Sequence, residues 1–165
     1  MDFNNKDILI ESGFQGFKSV KQLWFDRSVI PKVKGVYLVI NPTYQETEFI
    51  NPGVGGFFKN RDPNIPITEL ENNHVEDSQV VYIGKAGSPT GKATLNSRLG
   101  QYLRFGQGKN VGHWGGRLIW QLKNYENLIF CWKPTPNTDP RIIEKQLLNE
   151  FITQFGVRPF ANLTG

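Results

Sequence analysis

VKGVYLVI at residues 33–40 and VVYIG at residues 80–84 set the frame of this chain. Both runs are rich in β-branched and aromatic residues, and the first is bounded by Pro31 on one side and Asn41-Pro42 on the other, so both read as strands. Side chains alternate across a strand. Tyr37 therefore shares a face with Gly35 and Val39, and Tyr82 shares one with Val80 and Gly84. Were the two strands paired, the tyrosines would face one side together, with small neighbours leaving room around them. Taken alone, they are equally well read as ordinary core aromatics.

Working outward, LIFCWK at 128–133 reads as a third strand stopped by PTPNTDP. LNSRLGQYLRF at 95–105 suits a helix with Thr94 as its N-cap, and RIIEKQLLNEFITQF at 141–155 suits a second, ended by Gly156 at a C′ position. RLIWQL at 117–122 is either a short helix or a strand, and ITELENN at 67–73 has room for one short helix. Residues 1–32 read as an N-terminal packing arm. Residues 41–79 are dense in Pro, Gly and Asn and read as an insertion, with Phe49, Phe57 and Phe58 expected to pack on the body. The whole is expected to be a single α+β domain over residues 1–165, with a small three-stranded, mainly antiparallel sheet flanked by helices.

Composition bounds the function only loosely. Apolar residues make up 38% and aromatic residues 13% of the 165, too many to stay unburied in a disordered chain. No stretch approaches the ~20 apolar residues needed to cross a bilayer, and MDFNNKDILIESG lacks the pattern of a secretory signal, so no membrane partner and a cytoplasmic location are expected. The lone Cys131 lies in the apolar run LIFCW and reads as an inert core residue. A net charge of +4 admits a nucleic-acid partner without requiring one. The distribution is more telling: Lys85, Lys92, Arg98, Arg104, Lys109 and Arg117 fall in an interval from Gly84 to Arg117 that holds no acid, whereas Tyr44 to Asp77 is rich in acids. An acid-free basic stretch is what a polyanion-binding face requires.

Two helices carry unusual polar residues. On a helical wheel Ile143, Leu147, Leu148, Phe151, Ile152 and Phe155 share one arc, and Glu144 projects near its middle. A carboxylate there is costly unless paired or bound to a cation; the alternative is a Glu favoured by the helix N-terminus and reaching round to solvent. On the helix at 95–105 the stripe is Leu95, Leu99, Tyr102 and Leu103, with Arg98 at its border one turn before Tyr102. The stretch GKAGSPTGKAT fails the phosphate-loop pattern, because three residues rather than four separate its glycines and Ala93 stands where Ser or Thr would bind metal.

Gly35-Val36-Tyr37 followed by Tyr82-Ile83-Gly84 resembles the paired signature of the GIY-YIG nuclease superfamily. The likeness continues in order. Lys85 follows the second motif, Arg98 and Tyr102 fit an Arg-x-x-x-His/Tyr element, Glu144 fits the metal-binding Glu of a later helix, and Asn162 fits a late Asn. It covers roughly residues 33–165. Val36 replaces the signature Ile, the gap between the two motifs is far longer than in most members, and no DNA-targeting module is recognisable.

The resemblance implies a DNA endonuclease that hydrolyses phosphodiesters around one Mg²⁺ or Mn²⁺ held by Glu144. Arg98 would neutralise the phosphate through its fork. Tyr37 would orient or deprotonate the attacking water, a base role that calls for a lowered pKa with Lys85 and the cation as causes. Tyr82 and Tyr102 would bind phosphate or water, Lys85 would contact phosphate, and Asn162 would support the site. His113 in VGHWGGR would contact phosphate or accept the proton, or else is a loop histidine braced against Trp114. Lys85, Lys92, Arg104, Lys109 and Arg117 are the expected nucleic-acid contacts. The competing reading is a non-catalytic nucleic-acid-binding module of the same fold, and RNA remains open as a substrate because nothing in the sequence reads a 2′-hydroxyl.

Overall fold

The structure is a computed structural model and describes residues 1–163. The element order is α1 (Lys6–Glu11), β1 (Gln15–Ser19), α2 (Val20–Phe25), β2 (Gly35–Ile40), α3 (Ile67–Asn73), β3 (Val80–Ala86), α4 (Leu95–Phe105), β4 (Ile129–Pro134) and α5 (Pro140–Phe155). The expected α+β class holds, but the sheet has four strands rather than three, in the order β1-β4-β2-β3 with every neighbouring pair antiparallel. The extra strand comes from the segment expected to be only a packing arm. QGFKS lacks strand alternation: Gly16 and Phe17 both take positive φ, and the register to β4 shifts between Gln15 and Lys18. Pairing with β4 overrides that weak local pattern. The rest of the arm does pack, with Trp24 Nε1 donating to Leu103 O and Arg27 Nη1 to Gly100 O on α4.

β2 is buried along its whole length and divides two cores. One side gathers Tyr37, Val39, Tyr82, Phe130 and Trp132 with α2, α4 and the 3-10 helix Trp114–Gln121. The other gathers Val36, Leu38, Ile83 and Cys131 with α1 and α5. The register pairs Tyr37 with Gly84 and Val39 with Tyr82, then skips a residue to pair Ile40 with Val80. This bulge corrects one expectation: Val80 belongs to the opposite core from Tyr82.

The two expected helices close as their ends dictate. Thr94 and Ser97 form a reciprocal capping box on α4. Asp139 accepts from Arg141 N at the start of α5, with Pro140 in its first turn, and Gly156 ends it at φ 78°. The buried stripe of α5 is narrower than the wheel suggests: Leu147 and Phe151 are buried, whereas Ile152 is exposed. Of RLIWQL, residues 117–121 belong to the 3-10 helix and Leu122 follows it in extended conformation. In the insertion ITELENN forms α3 as expected, and Phe49 and Phe58 pack on the body while Phe57 stays exposed. Gln121 ties the insertion down, its Oε1 accepting from Ile65 N and its Nε2 donating to Ile50 O and Ile65 O. Among the described residues no helix is long and apolar enough to cross a membrane.

Candidate active site

β3 is an edge strand, and the candidate side chains meet there from both sides of the sheet. A cleft of about 410 Å³ is lined by Tyr37, Tyr82, Lys85, Gly87, Ser88, Ala93, Arg98, Gln101 and Glu144. Five of the residues selected in the sequence, Tyr37, Tyr82, Lys85, Arg98 and Glu144, thus face one hollow. α4 brings Arg98 from one layer, and α5 brings Glu144 from the other. They meet because the sheet ends at β3 and Gly84 adds no side chain. A methyl group at Gly84 would sit 2.5 Å from Tyr37 Cζ, so the glycine is what lets the Tyr37 ring lie across the neighbouring strand.

Glu144 is half-buried, and its pKa is raised by burial against the opposing pull of Lys85, Arg141 and Arg98. Among the described residues neither Glu144 nor Arg98 forms an ion pair, so the two face the cleft without closing it. Arg98 Nη1 donates to Gly112 O at 3.0 Å and to Gln101 Oε1 at 3.2 Å, which fixes the guanidinium and grips the loop carrying His113. Lys85 Nζ donates to Gly87 O at 3.3 Å.

Behind the cleft lies an aromatic stack that the sequence does not show. Tyr37 Oη and His113 Nε2 share a hydrogen bond of 2.7 Å. The His113 ring stacks on Tyr102 with centroids 3.6 Å apart and planes 6° from parallel, so the brace is Tyr102 and not Trp114. Tyr102 is itself fully buried, and its hydroxyl donates to Gly116 O. That corrects the expected contact of Tyr102 with phosphate or water; it positions His113 instead. Burial holds the His113 pKa well below the usual histidine value, with Arg98 pushing the same way, so the imidazole is neutral. Its Nδ1 is buried with no partner among the described residues.

The tyrosines depart from expectation in their acidity. Burial pushes Tyr37 well above the usual phenol value, reinforced by Tyr82, and pushes Tyr82 up to about 12. The expected lowering of Tyr37 is absent from the chain by itself: Arg98 pulls its pKa down, but burial outweighs that pull. A neutral phenol hydrogen-bonded to a neutral imidazole takes its place.

Asn162 supports the site in a specific way. Its Oδ1 accepts from Ile83 N and its Nδ2 donates to Ile83 O, clamping β3 between the Tyr82 and Gly84 positions. With Ala161 N donating to Val81 O, the tail covers part of the free strand edge. A second cleft of about 380 Å³ adjoins, lined in part by Tyr82, Arg141, Glu144, Lys145, Arg158 and Asn162. Glu144 and Tyr82 stand between the two hollows. Arg141 and Lys145 escaped the sequence reading, although their spacing places them beside Glu144 on one helix. Of the expected nucleic-acid contacts, Lys92, Arg104 and Lys109 are exposed but line neither cleft, and Arg117 is half-buried against Trp114.

Among the described residues no group of three or more His, Cys, Asp or Glu side chains is placed to hold a metal. One accessible carboxylate beside a cationic hollow does fit a hard divalent cation that keeps most of its shell as water and phosphate oxygen; it does not fit a closed structural site. No family model matches this chain, and neither a curated protein nor a solved structure matches it.

Proposed function

We propose that the protein is a divalent-cation-dependent endonuclease that hydrolyses DNA phosphodiesters in the cleft at the β3 edge. The convergence of Tyr37, Tyr82, Lys85, Arg98 and Glu144 on one hollow carries this reading. It extends to the GIY-YIG superfamily as a resemblance of motif order and site.

The chemistry follows from the charges. Arg98 and Lys85 hold the two free phosphoryl oxygens and neutralise the charge that grows on them in the transition state. In the tautomer with hydrogen on Nδ1, Tyr37 donates its proton to His113 Nε2 and turns an oxygen lone pair toward the cleft. Tyr37 then takes a proton from the attacking water while its own passes to His113, so no free phenolate forms; the burial and the Arg98 charge that keep the imidazole neutral oppose this last transfer, and the anionic phosphate bound at Arg98 offsets that charge. The water oxygen bonds to phosphorus, the bond to the leaving oxygen breaks, and that oxygen is protonated from solvent. Glu144 would hold Mg²⁺ or Mn²⁺, which supplies charge stabilisation for the leaving oxygen. Tyr82 orients the phosphate from between the two clefts. Tyr102 and Asn162 are positioning residues.

Burial of Tyr37 favours one rival, a module that binds nucleic acid without cutting it. Plasmid nicking with and without Mg²⁺ or Mn²⁺ separates the two. The expected outcome is cation-dependent nicking that falls by ~10³-fold in Glu144→Gln. Absence of cutting on every DNA and RNA substrate, or undiminished cutting by Glu144→Gln, rejects the nuclease.

A further inference from the structure

Tyr44 to Asp77 is rich in acids, yet this part of the insertion sends two cations, Lys59 and Arg61, toward the loop that carries His113. Its 3-10 turn Phe58–Asn60 docks on that loop, with Lys59 N donating to Asn110 Oδ1 and the Phe58 ring beside Gly112. Gly112 is the residue whose carbonyl Arg98 grips from the cleft side. The insertion and the catalytic cleft therefore lie against one loop.

Next to this junction, two arginines converge on one indole. The guanidinium carbon of Arg61 lies 4.2 Å from the Trp114 ring centroid, and that of Arg117 lies 4.4 Å from it. Arg117 Nη1 donates to Trp114 O, while its Nε is buried with no partner among the described residues. No carboxylate is in ion-pair contact with either arginine among those residues. Asp62, the acid nearest in sequence to Arg61, spends its Oδ1 on Asn64 N and Nδ2. Two like charges gathered on one indole, without an acid in ion-pair contact, repel each other at a cost that a bound anion offsets. Trp114 presents both forks at fixed positions, and an arginine fork matches phosphate oxygens. Lys59, held over Phe58, and exposed Lys109 add charge around them.

We propose that Arg61 and Arg117, braced on Trp114, clamp the phosphodiester backbone of a nucleic-acid strand beside the cleft, which makes the insertion part of the substrate-binding surface. The clamp rests on the nuclease reading for the identity of its ligand, not for any chemical step. Cation–aromatic bracing keeps the two forks ordered before the strand arrives, so less side-chain freedom is lost on binding.

The test measures binding by the full chain in EDTA, where cleavage is blocked, using labelled duplex DNA and single-stranded RNA at ~50 and ~200 mM salt. Arg61→Gln is expected to weaken binding about fivefold at the lower salt and to reduce the slope of log K against log salt by about 1. The Arg61→Gln/Arg117→Gln pair is expected to reduce the slope by about 2, with melting curves confirming that both proteins fold. Arg61 is exposed, so its single variant keeps the test decisive if the pair fails to fold. The probe that shows the dependence, DNA or RNA, identifies the strand. Unchanged affinity and slope in Arg61→Gln overturn the clamp, as does a wild-type chain that binds neither probe. Cutting that proceeds with Arg61-independent binding defeats the clamp alone. Arg61-dependent binding without cutting under Mn²⁺ defeats the nuclease alone.

Discussion

Two hollows of this protein separate size from chemical equipment. The larger, about 900 Å³, is formed by the insertion and lined by Tyr44, Glu46, Glu48, Glu71, His74, Glu76 and Asp77 among others. Its acids are exposed, and the ion pair at its rim, Glu48 with Lys123, is exposed on both partners. The smaller cleft at the β3 edge joins one half-buried carboxylate to Lys85 and Arg98 over a floor of buried tyrosines. The groove is shaped by loops and set by solvent, whereas the cleft is shaped by packing and set by burial. Volume alone points to the groove, whereas perturbed groups held by a rigid scaffold point to the cleft.

If packing sets the cleft, a single methyl group should disrupt it. Gly84→Ala places that methyl against a Tyr37 ring fixed by its bond to His113. The ring or the strand must move, at a cost of about 1–3 kcal/mol in stability. Displacing Tyr37 from its proton path should lower nicking by ~100-fold. Denaturant melts and nicking rates on Gly84→Ala measure both. In the groove, Glu71→Ala should change stability by less than about 0.5 kcal/mol. Equal effects at the two sites would erase the distinction.

Protonation sharpens the contrast. Burial depresses the pKa of His113, so the folded chain resists a proton that the unfolded chain accepts near pH ~6.5. The stability it contributes is complete above that value and is lost as pH falls toward the depressed folded value. The slope is about 1.4 kcal/mol per pH unit while one proton is taken up. His74 in the groove is lowered too, by partial burial opposed by Glu76, and should contribute a shallower slope. Denaturation midpoints followed from pH ~8 to ~5 are expected to flatten more in His113→Gln than in His74→Gln. The reverse order would place the acid-sensitive group in the groove.

These two regions also mark what the sequence makes legible. The periodicity of β2, β3 and β4, the caps of α4 and α5 and the order of Tyr37, Tyr82, Lys85, Arg98 and Glu144 are local signals, and each element lies within a few residues of where it was read. The fourth strand was illegible because Gly16 and Phe17 break its alternation. The bulge that moves Val80 to the other core leaves no local mark. Nor does sequence reveal that His113 meets Tyr37, 76 residues away, or that Arg61 meets Trp114. The first contact exists only after the 111–117 loop folds over β2, the second only after that loop meets the insertion. Long-range closure, not weak propensity, hid them.

The smallest expected effect is the one that tests whether the groove is a bystander. Its lining shares no residue with either cleft, and its acids repel a polyanion only through solvent. Exposed charges are largely screened beyond ~10 Å at ordinary ionic strength. Glu71→Gln with Glu76→Gln raises the net charge by two, so nucleic-acid affinity should rise by no more than about twofold, and the gain should vanish as salt increases. Because both glutamates are exposed, neutralising them leaves no buried group unpaired, and a change in fold would not confuse the result. Anisotropy titrations at two salt concentrations provide the measurement. A gain that persists at high salt would mean that the acids act on the strand at contact distance, which would place the groove on the binding path and the insertion on both sides of its ligand.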